Sequence, residues 1–449
     1  MIPDVYAPQN VNGRYTTMVA TDKPTITPRE TATLPPTSSP APSPQNGGLA
    51  AWVGVFAGFL LFFTTWGFST AYGAFQHFYQ TDLLRDSSPS KLSWIGTVNA
   101  FFLISTGVVA GPLFDWGFLI HLMIAGCFLT TLGLMMLSLS QTYYQVLLSQ
   151  GFCCGIGSGL IYVPALSLVL TSFTSRRGIA LGIVTCGASI GGVLFPIIFI
   201  HLQPHIGFPW TARVMGFIQL GCSCIAVPLL IATTKPKRSS PRQLIHWDAL
   251  KEWNFNACGV ANFLMFMAYF VPLFYVPFFA SQVLETSTDM SFYLVSILNA
   301  GSAVGRLGSA LLTQRLGAGL ILSVSVTTSA ALIFGWIGIN TQASFVAFCV
   351  LFGISSGVLI SANPLVIAHP VVSPSPAIIG TRMGMLWFAA SLGVLIGAPI
   401  AGVIEGHGGG NEYLGLQLFS GAIMTGGGIF MMVPLLAAWR YDCHQKELE

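Results

Sequence analysis

One arginine lies well inside a long apolar stretch of the sequence. Arg306 ends the segment SFYLVSILNAGSAVGR that begins at Ser291, and it is the only Lys or Arg well inside such a stretch. A cation at membrane depth is by default a candidate functional residue, because lipid cannot solvate it. A guanidinium presents a planar fork of N–H donors that matches a carboxylate. The residue type therefore indicates a site for an organic anion.

Polar side chains share the predicted helix face of Arg306. Ser296, Asn299 and Ser302 fall with the arginine within an arc of roughly 120° at 3.6 residues per turn. We expect this face to contact the substrate. The alternative is snorkelling, because Arg306 lies about six residues, or about 9 Å, from the cytoplasmic end of its span.

The first apolar span also has a polar face. Thr65, Ser69, Tyr72 and Gln76 recur at spacings of four, three and four residues, which aligns them along one side of a helix. We predict that this side lines a central cavity. Hydrogen bonding between helices is the alternative.

Two further spans contribute candidates to the same site. Asn262 and Tyr269 lie seven residues apart in the seventh span, and Asn363 precedes Pro364 in the tenth. The complete predicted substrate-binding set is Arg306, Asn299, Ser302, Ser69, Tyr72, Asn262, Tyr269 and Asn363.

The composition of the chain indicates a membrane protein. Only 7% of the 449 residues are charged and 53% are hydrophobic, whereas about a quarter of a soluble domain is charged. A helix needs about 20 apolar residues to cross a bilayer, and no strand-like alternation suggests a β-barrel. The sequence therefore predicts an all-α protein with twelve spans, at residues 50–75, 92–114, 118–139, 143–171, 178–200, 212–233, 254–280, 291–312, 318–339, 343–368, 378–404 and 414–438.

The basic residues predict the orientation of these spans. With a cytoplasmic N-terminus, fourteen Lys and Arg residues lie on the cytoplasmic side and three on the other, with Arg306 left over. Cytoplasmic loops carry such an excess of positive charge. We therefore expect both termini to be cytoplasmic.

The chain divides into five predicted segments. Residues 1–46 are rich in Thr, Pro and Ser and predict a disordered tail. Residues 47–233 and 254–438 each hold six spans, residues 234–253 form a basic linker, and residues 439–449 form a short tail. Two six-span halves are typical of a transporter built from structural repeats.

Several kinds of chemistry are disfavoured by what the sequence lacks. The nine cysteines and eight histidines have no metal-ligand spacing, so we expect no metal, cofactor or enzymatic activity. The nucleotide-binding pattern Gly-x-x-x-x-Gly-Lys-Ser/Thr is absent, which disfavours an ATP-driven pump. Every acidic residue lies in a tail, a loop or at a helix end, so a buried carboxylate does not support proton symport. His121 and His369 are weak candidates for a proton relay.

Five motifs together resemble a known family. They are NGGLAAW at 46–52, GPLFDWG at 111–117, SFTSRRGIALG at 172–182, LNAGSAVGR at 298–306 and GTRMG at 380–384. The chain resembles the major facilitator superfamily, and within it the monocarboxylate-transporter-like family in its fungal form, over residues 46 to about 440. It departs from that pattern at Trp116 and Gln314, where each loop motif keeps half of its charge pair, and at Ser302, where the animal branch has an Asp.

The resemblance implies alternating access in two pseudo-symmetric six-helix bundles. The implied substrate is a small organic solute, a monocarboxylate or another organic anion, with a co-transported proton left open. Efflux of a secondary metabolite, uptake of a neutral compound such as a vitamin, and a nontransporting membrane sensor are the alternatives. We expect the protein in the plasma membrane or an internal membrane, with the lipid bilayer around it and with neither nucleic acid nor an obligate protein partner.

The resemblance also suggests residues that control opening. Arg176 and Arg177 belong to the motif before the fifth span. We predict that Asp115, at the end of the second span, meets Arg382 at the start of the eleventh when the cytoplasmic side is closed, because a carboxylate favours a nearby guanidinium. The alternative is that both side chains are simply solvated at the interface.

Overall fold

The apolar windows of the sequence form helices, because a helix satisfies its own backbone hydrogen bonds in lipid. A computed structural model describes residues 48–173, 176–233, 245–375, 378–405 and 413–448, and the described part is helical with no strand. The predicted tail at 1–46 lies outside these residues. Of the predicted linker, residues 234–244 lie outside them and Trp247–Lys251 form a short 3₁₀ turn.

The helices follow the chain in this order. The first is α1 (Leu49–Thr64), and it is followed by α2 (Trp66–Thr70), α3 (Tyr72–Phe78), α4 (Pro89–Asp115), α5 (Leu119–Leu137), α6 (Tyr143–Val146), α7 (Cys154–Ser172) and α8 (Arg177–Thr233). The second set is α9 (Trp253–Gln282), α10 (Thr288–Leu316), α11 (Ala318–Gly335), α12 (Gln342–Ile367), α13 (Ile379–Glu405) and α14 (Leu414–Leu448). π-Helical turns at Tyr79–Leu83 and Leu147–Cys153 extend α3 and lead into α7, and Trp336–Gly338 form a second 3₁₀ turn.

Among the described residues, 11 helices are long and apolar enough to cross a membrane. One of them is α8, whose 57 residues would extend about 85 Å if straight, well beyond one bilayer. It breaks at Gly207, where φ is 72°, a backbone conformation that glycine adopts readily. The break divides α8 into two spans, which confirms the twelve predicted spans. In the last span α14 continues as helix through most of the predicted tail at 439–449.

Glycines hold matching helix pairs together in the two sets of six spans. On α8, the Cβ positions of Gly187 and Gly191 face the backbone of α1, and on α13 those of Gly393 and Gly397 face the backbone of α9. A side chain there has no space. The same spacing of four recurs where α7 meets α4 and where α12 meets α10, at Gly155, Gly159, Gly353 and Gly357. Such small-residue spacing lets helix backbones approach closely, and here it is repeated in the second set of spans.

The two sets of spans meet along α4 with α13, α8 with α10, and α3 with α9. We call the face at the start of α1 the inner face, which is cytoplasmic in the predicted orientation, and the opposite one the outer face. The contact of α3 with α9 lies toward the outer face, where Gly73 packs directly on the carbonyl of Leu273. The outer side is thus closed.

Candidate functional site

A cavity lies between the two sets of spans, toward the inner face. The inner ends of α7, α8, α10 and α12 contribute most of its walls, and the middle of the first span contributes Phe62 and Trp66. Apolar side chains predominate, and Arg306 is the one charged residue in its lining. An inner cavity with a closed outer side corresponds to the inward-facing state of an alternating-access protein.

Arg306 lies at this cavity with a side chain only 2% exposed. Its Nη1 donates to the main-chain carbonyl of Thr185 at 2.6 Å, and its Nε donates to Ser302 Oγ at 3.3 Å. The first bond reaches from α10 to α8, across the boundary between the two sets of spans. The guanidinium therefore points into the protein, and the side chain does not snorkel to the membrane surface.

The surroundings of Arg306 contain dipoles rather than anions. Tyr269, Cys186 and Tyr162 lie close enough to interact electrostatically with the guanidinium. Among the residues that the structure describes, no carboxylate lies within ion-pair distance of it. Three of its five N–H groups have acceptors among the described residues, at Thr185, Ser302 and Tyr269, so two remain for a ligand.

A connected group of aromatic rings includes Tyr162 and Tyr269, which interact with the same side chain. We call Phe62, Trp66, Tyr162, Trp387, Phe266 and Tyr269 the aromatic wall. The ring centroid of Tyr162 lies 5.5 Å from those of Phe62 and Trp66 and 6.3 Å from that of Trp387. Phe266 then links Trp387 to Tyr269, at 5.3 and 5.9 Å. The wall joins both sets of spans, and its first three members line the cavity directly.

Sequence reasoning missed most of this wall. Tyr162 and Trp387 lie in apolar spans that contain many aromatic residues, so their type alone does not distinguish them from side chains that face lipid. What distinguishes them is the approach of α7 to α13, which no local pattern encodes.

The predicted substrate-binding residues divide into two groups. Arg306 lines the cavity and is contacted by Ser302 and Tyr269. The others are not part of this lining; they are Asn299, Ser69, Tyr72, Asn262 and Asn363. Asn299 packs on Gly192 of α8 and donates to the carbonyl of Val295 at 3.0 Å. Ser69 is buried, and its hydroxyl has no hydrogen-bond partner among the described atoms.

The two predicted asparagines bond to each other. Asn363 Nδ2 donates to Asn262 Oδ1 at 2.5 Å, which joins α12 to α9. Asn262 in turn donates to the carbonyl of Cys258 at 2.8 Å. In this conformation the two side chains form an interhelical hydrogen bond, and Pro364, beside Asn363, lines the cavity.

Two residues of the polar face predicted for the first span form hydrogen bonds at the outer closure. Tyr72 donates to the carbonyl of Leu92 at 2.6 Å, and Gln76 donates to Ser93 at 3.1 Å. Ser93 bonds Tyr275 of α9 at 2.9 Å, and Tyr275 donates to the carbonyl of Ala398 on α13 at 3.1 Å. In this conformation Tyr72 and Gln76 therefore bond between helices, and the lining of a central cavity by this face stays a prediction.

Arg382 has a partner that the sequence did not suggest. Its Nη1 and Nη2 donate to the two carboxylate oxygens of Glu252 at 2.6 and 2.5 Å, and Nη1 also donates to the carbonyl of Val372 at 2.6 Å. The guanidinium lies over the ring of Phe255 at 5.4 Å. Three segments of the second set of spans are thus joined at the inner face, and we call this group the inner brace.

The other predicted gating residues are only partly described. Arg176 is exposed just before α8. The side chains of Asp115 and Arg177 lie outside the described part of the structure, so the contact between Asp115 and Arg382 stays a prediction. Of the two histidines considered as relays, His121 is exposed and His369 bonds Asp442 at 3.2 Å near the inner face.

Comparison with known proteins decides the family of this helical arrangement. A family model described as Major Facilitator Superfamily matches residues 54–398. The chain belongs to the Major Facilitator Superfamily. It is accordingly a multi-pass membrane transporter. The solved nucleoside transporter NupG of the same fold superposes with a TM-score of 0.63 at 12% identity, covering 87% of this chain and 99% of that one.

The superfamily relatives that the chain matches include fungal transporters. It is 38% identical to the MFS-type transporter dbaD of Emericella nidulans, over 87% of each chain. It is 37% identical to the aspyridones efflux protein apdF of the same organism, over 88% of this chain and 79% of that one. It is also 35% identical to the fujikurins efflux protein of Gibberella fujikuroi, over 87% and 83%.

Proposed function

We propose that this transporter exports a secondary metabolite that combines an anionic group with a large apolar body. The observation that carries the proposal is Arg306, a buried cation without a described carboxylate partner, beside an aromatic wall. The guanidinium matches an acidic group of the substrate, and the wall matches a ring system. Two relatives named as efflux proteins support export, which suits a plasma-membrane location.

The lining of the cavity supports a substrate with an apolar body over a small monocarboxylate. Apolar and aromatic side chains predominate around the one charged residue, as is usual for sites that bind drug-sized ligands. A three-carbon acid would leave most of the apolar wall without a partner. Within this proposal, the chain resembles the monocarboxylate-transporter-like family in its arginine, whereas its substrate is larger than a small monocarboxylate.

The geometry suggests how binding leads to transport. The substrate enters from the inner face, and its anionic group pairs with Arg306, whose present main-chain acceptor at Thr185 is neutral. Pairing neutralises a charge that would otherwise be costly to enclose. The Arg306 side chain spans the contact of α8 with α10, so a change in its partner acts directly on the surface along which the two sets of spans move.

Three probes test the proposal with purified protein in lipid nanodiscs. The first is pyrenebutyrate, an aromatic carboxylate; the second is pyrenebutanol, its neutral counterpart; the third is lactate. We expect saturable binding of pyrenebutyrate, with the neutral alcohol at least about tenfold weaker, since an ionic hydrogen bond contributes about 1.5–3 kcal/mol. Equal affinity for acid and alcohol would contradict anion recognition, and tighter binding of lactate would favour a small monocarboxylate.

Direction is tested in yeast cells that express the transporter. Cells loaded with pyrenebutyrate should release it faster than cells without the protein, and energised cells should accumulate less of it. Faster accumulation in energised cells would indicate import and would overturn the export part of the proposal.

A further inference from the structure

A histidine is buried at the outer closure, between the two sets of spans. His77 lies in α3 and is 4% exposed. Its ring packs between Phe278 of α9 at 5.4 Å and Phe292 of α10 at 5.6 Å, measured between centroids. Both phenylalanines belong to the second set of spans. The imidazole is therefore enclosed only while the outer side is closed.

The hydrogen bonds around His77 favour a neutral imidazole. Its Nε2 lies 3.3 Å from Ser281 Oγ, and the Ser281 hydroxyl can donate to the carbonyl of Phe278 at 3.1 Å. With the serine hydrogen directed at that carbonyl, Nε2 carries the imidazole hydrogen and Nδ1 carries a lone pair. Nδ1 is buried and has no hydrogen-bond partner among the described atoms.

A second proton on this ring has nowhere to bond in the closed state. A hydrogen on Nδ1 would be buried without an acceptor, and its charge would be enclosed by two phenyl rings. Asp82, on the turn that follows α3, is the charged group that interacts with the ring among the described residues. It is half exposed and contacts Arg85 at 3.4 Å, so it offers little compensation. Among the described residues of α9 and α10, Ser281 bonds the imidazole, and Phe278 and Phe292 pack on it.

We propose that the His77 imidazole is a proton-binding site whose protonation favours opening of the outer side. Opening separates α3 from α9 and α10 and exposes Nδ1 to water, where histidine readily takes a proton near neutral pH. Protonation and opening are then linked, because a ligand that binds one state better stabilises that state. Acid on the outer side favours the conformation that releases an exported substrate. The inference needs the transporter but not the identity of its substrate.

Hydrogen–deuterium exchange on the purified full-length protein in nanodiscs tests this inference without a substrate. Exchange of segments 72–83 and 275–282 is compared at about pH 5.5 and about pH 7.5, on either side of the ordinary histidine pKa, and corrected for intrinsic rates. We expect acid to increase exchange several-fold in both segments, since the contact between α3 and α9 is broken when the outer side opens.

Variants at His77 separate titration from packing. His77→Gln keeps a group that can bond Ser281 but does not titrate, so its exchange should not respond to acid. His77→Lys carries a permanent charge and should exchange rapidly at both pH values. His205→Gln is the matched control, because His205 is exposed and its loss should leave the wild-type response intact. Persistence of the acid response in His77→Gln would overturn the proposal, as would slow exchange in a folded His77→Lys protein.

Discussion

The guanidinium of Arg306 donates to the main-chain carbonyl of Thr185 at 2.6 Å, and this bond joins α10 to α8 across the boundary between the two sets of spans. A buried cation is thus held by a neutral dipole at the surface where the halves must move. A carboxylate is a stronger acceptor than a carbonyl, so an anionic substrate can replace that bond. Recognition and conformational change would then involve the same side chain.

The aromatic wall should contribute to affinity for ring-containing substrates. Trp387→Leu removes the ring that packs on Tyr162, which lines the cavity, and that links it to Phe266. We expect pyrenebutyrate to bind about two- to tenfold more weakly, since an aromatic pair contributes about 0.5–1.5 kcal/mol. The measurement is a fluorescence titration in nanodiscs. The control is Phe388→Leu on the next residue, whose side chain is 44% exposed; an equal loss in both variants would show that the wall has no specific role.

Close glycine contacts should determine the stability of the second set of spans. Gly397→Ala introduces a methyl group against the carbonyl of Met267 and forces α13 away from α9. Overpacking of this kind costs about 1–3 kcal/mol, so we expect a lower melting temperature and a smaller monodisperse fraction. Gly384→Ala, on the same helix, meets nothing within 4 Å and should be neutral or slightly stabilising. Equal stability of the two variants would disprove the packing argument.

The inner brace should stabilise the inner face through the ion pair between buried Arg382 and partly exposed Glu252. Glu252→Gln leaves the Arg382 guanidinium, only 1% exposed, without its counter-charge. The carboxylate is partly exposed, so we expect a loss of about 2 kcal/mol, below the 3–5 kcal/mol typical of a fully buried pair. Asp248→Asn breaks the neighbouring exposed pair with Lys251 and should change stability very little. Thermal unfolding in detergent compares the two variants.

The same assay addresses the predicted contact between Asp115 and Arg382. If Glu252 is the principal partner, Asp115→Asn should leave thermal stability unchanged. If Asp115→Asn lowers thermal stability as much as Glu252→Gln does, Asp115 would instead be a principal partner of Arg382.

The sequence predicted the spans well because membrane helices are specified by local composition. Twelve apolar windows became twelve spans, and the break that divides α8 lies at Gly207, between two predicted windows. Arg306 was predictable for the same reason, since a single cation in apolar surroundings is a local signal.

Contacts between distant segments were not predictable in this way. Glu252 lies 130 residues before Arg382 in the chain, and a glutamate at a helix start has several ordinary roles. His77 is one residue beyond the predicted polar face, but its burial depends on α9 and α10. Tyr72 and Gln76 were correctly assigned to one helix face, yet periodicity does not indicate whether such a face meets a cavity or another helix.

The central claim is that Arg306 selects an anionic substrate. The most direct measurement is the ratio of initial transport rates for pyrenebutyrate and pyrenebutanol in proteoliposomes, compared between wild type, Arg306→Gln and Arg315→Gln. Arg315 lies on the same helix but is exposed, so its loss should preserve the wild-type ratio. We predict that Arg306→Gln lowers the ratio at least about tenfold, as expected for loss of an ionic hydrogen bond. An unchanged ratio in a folded Arg306→Gln transporter would contradict the account.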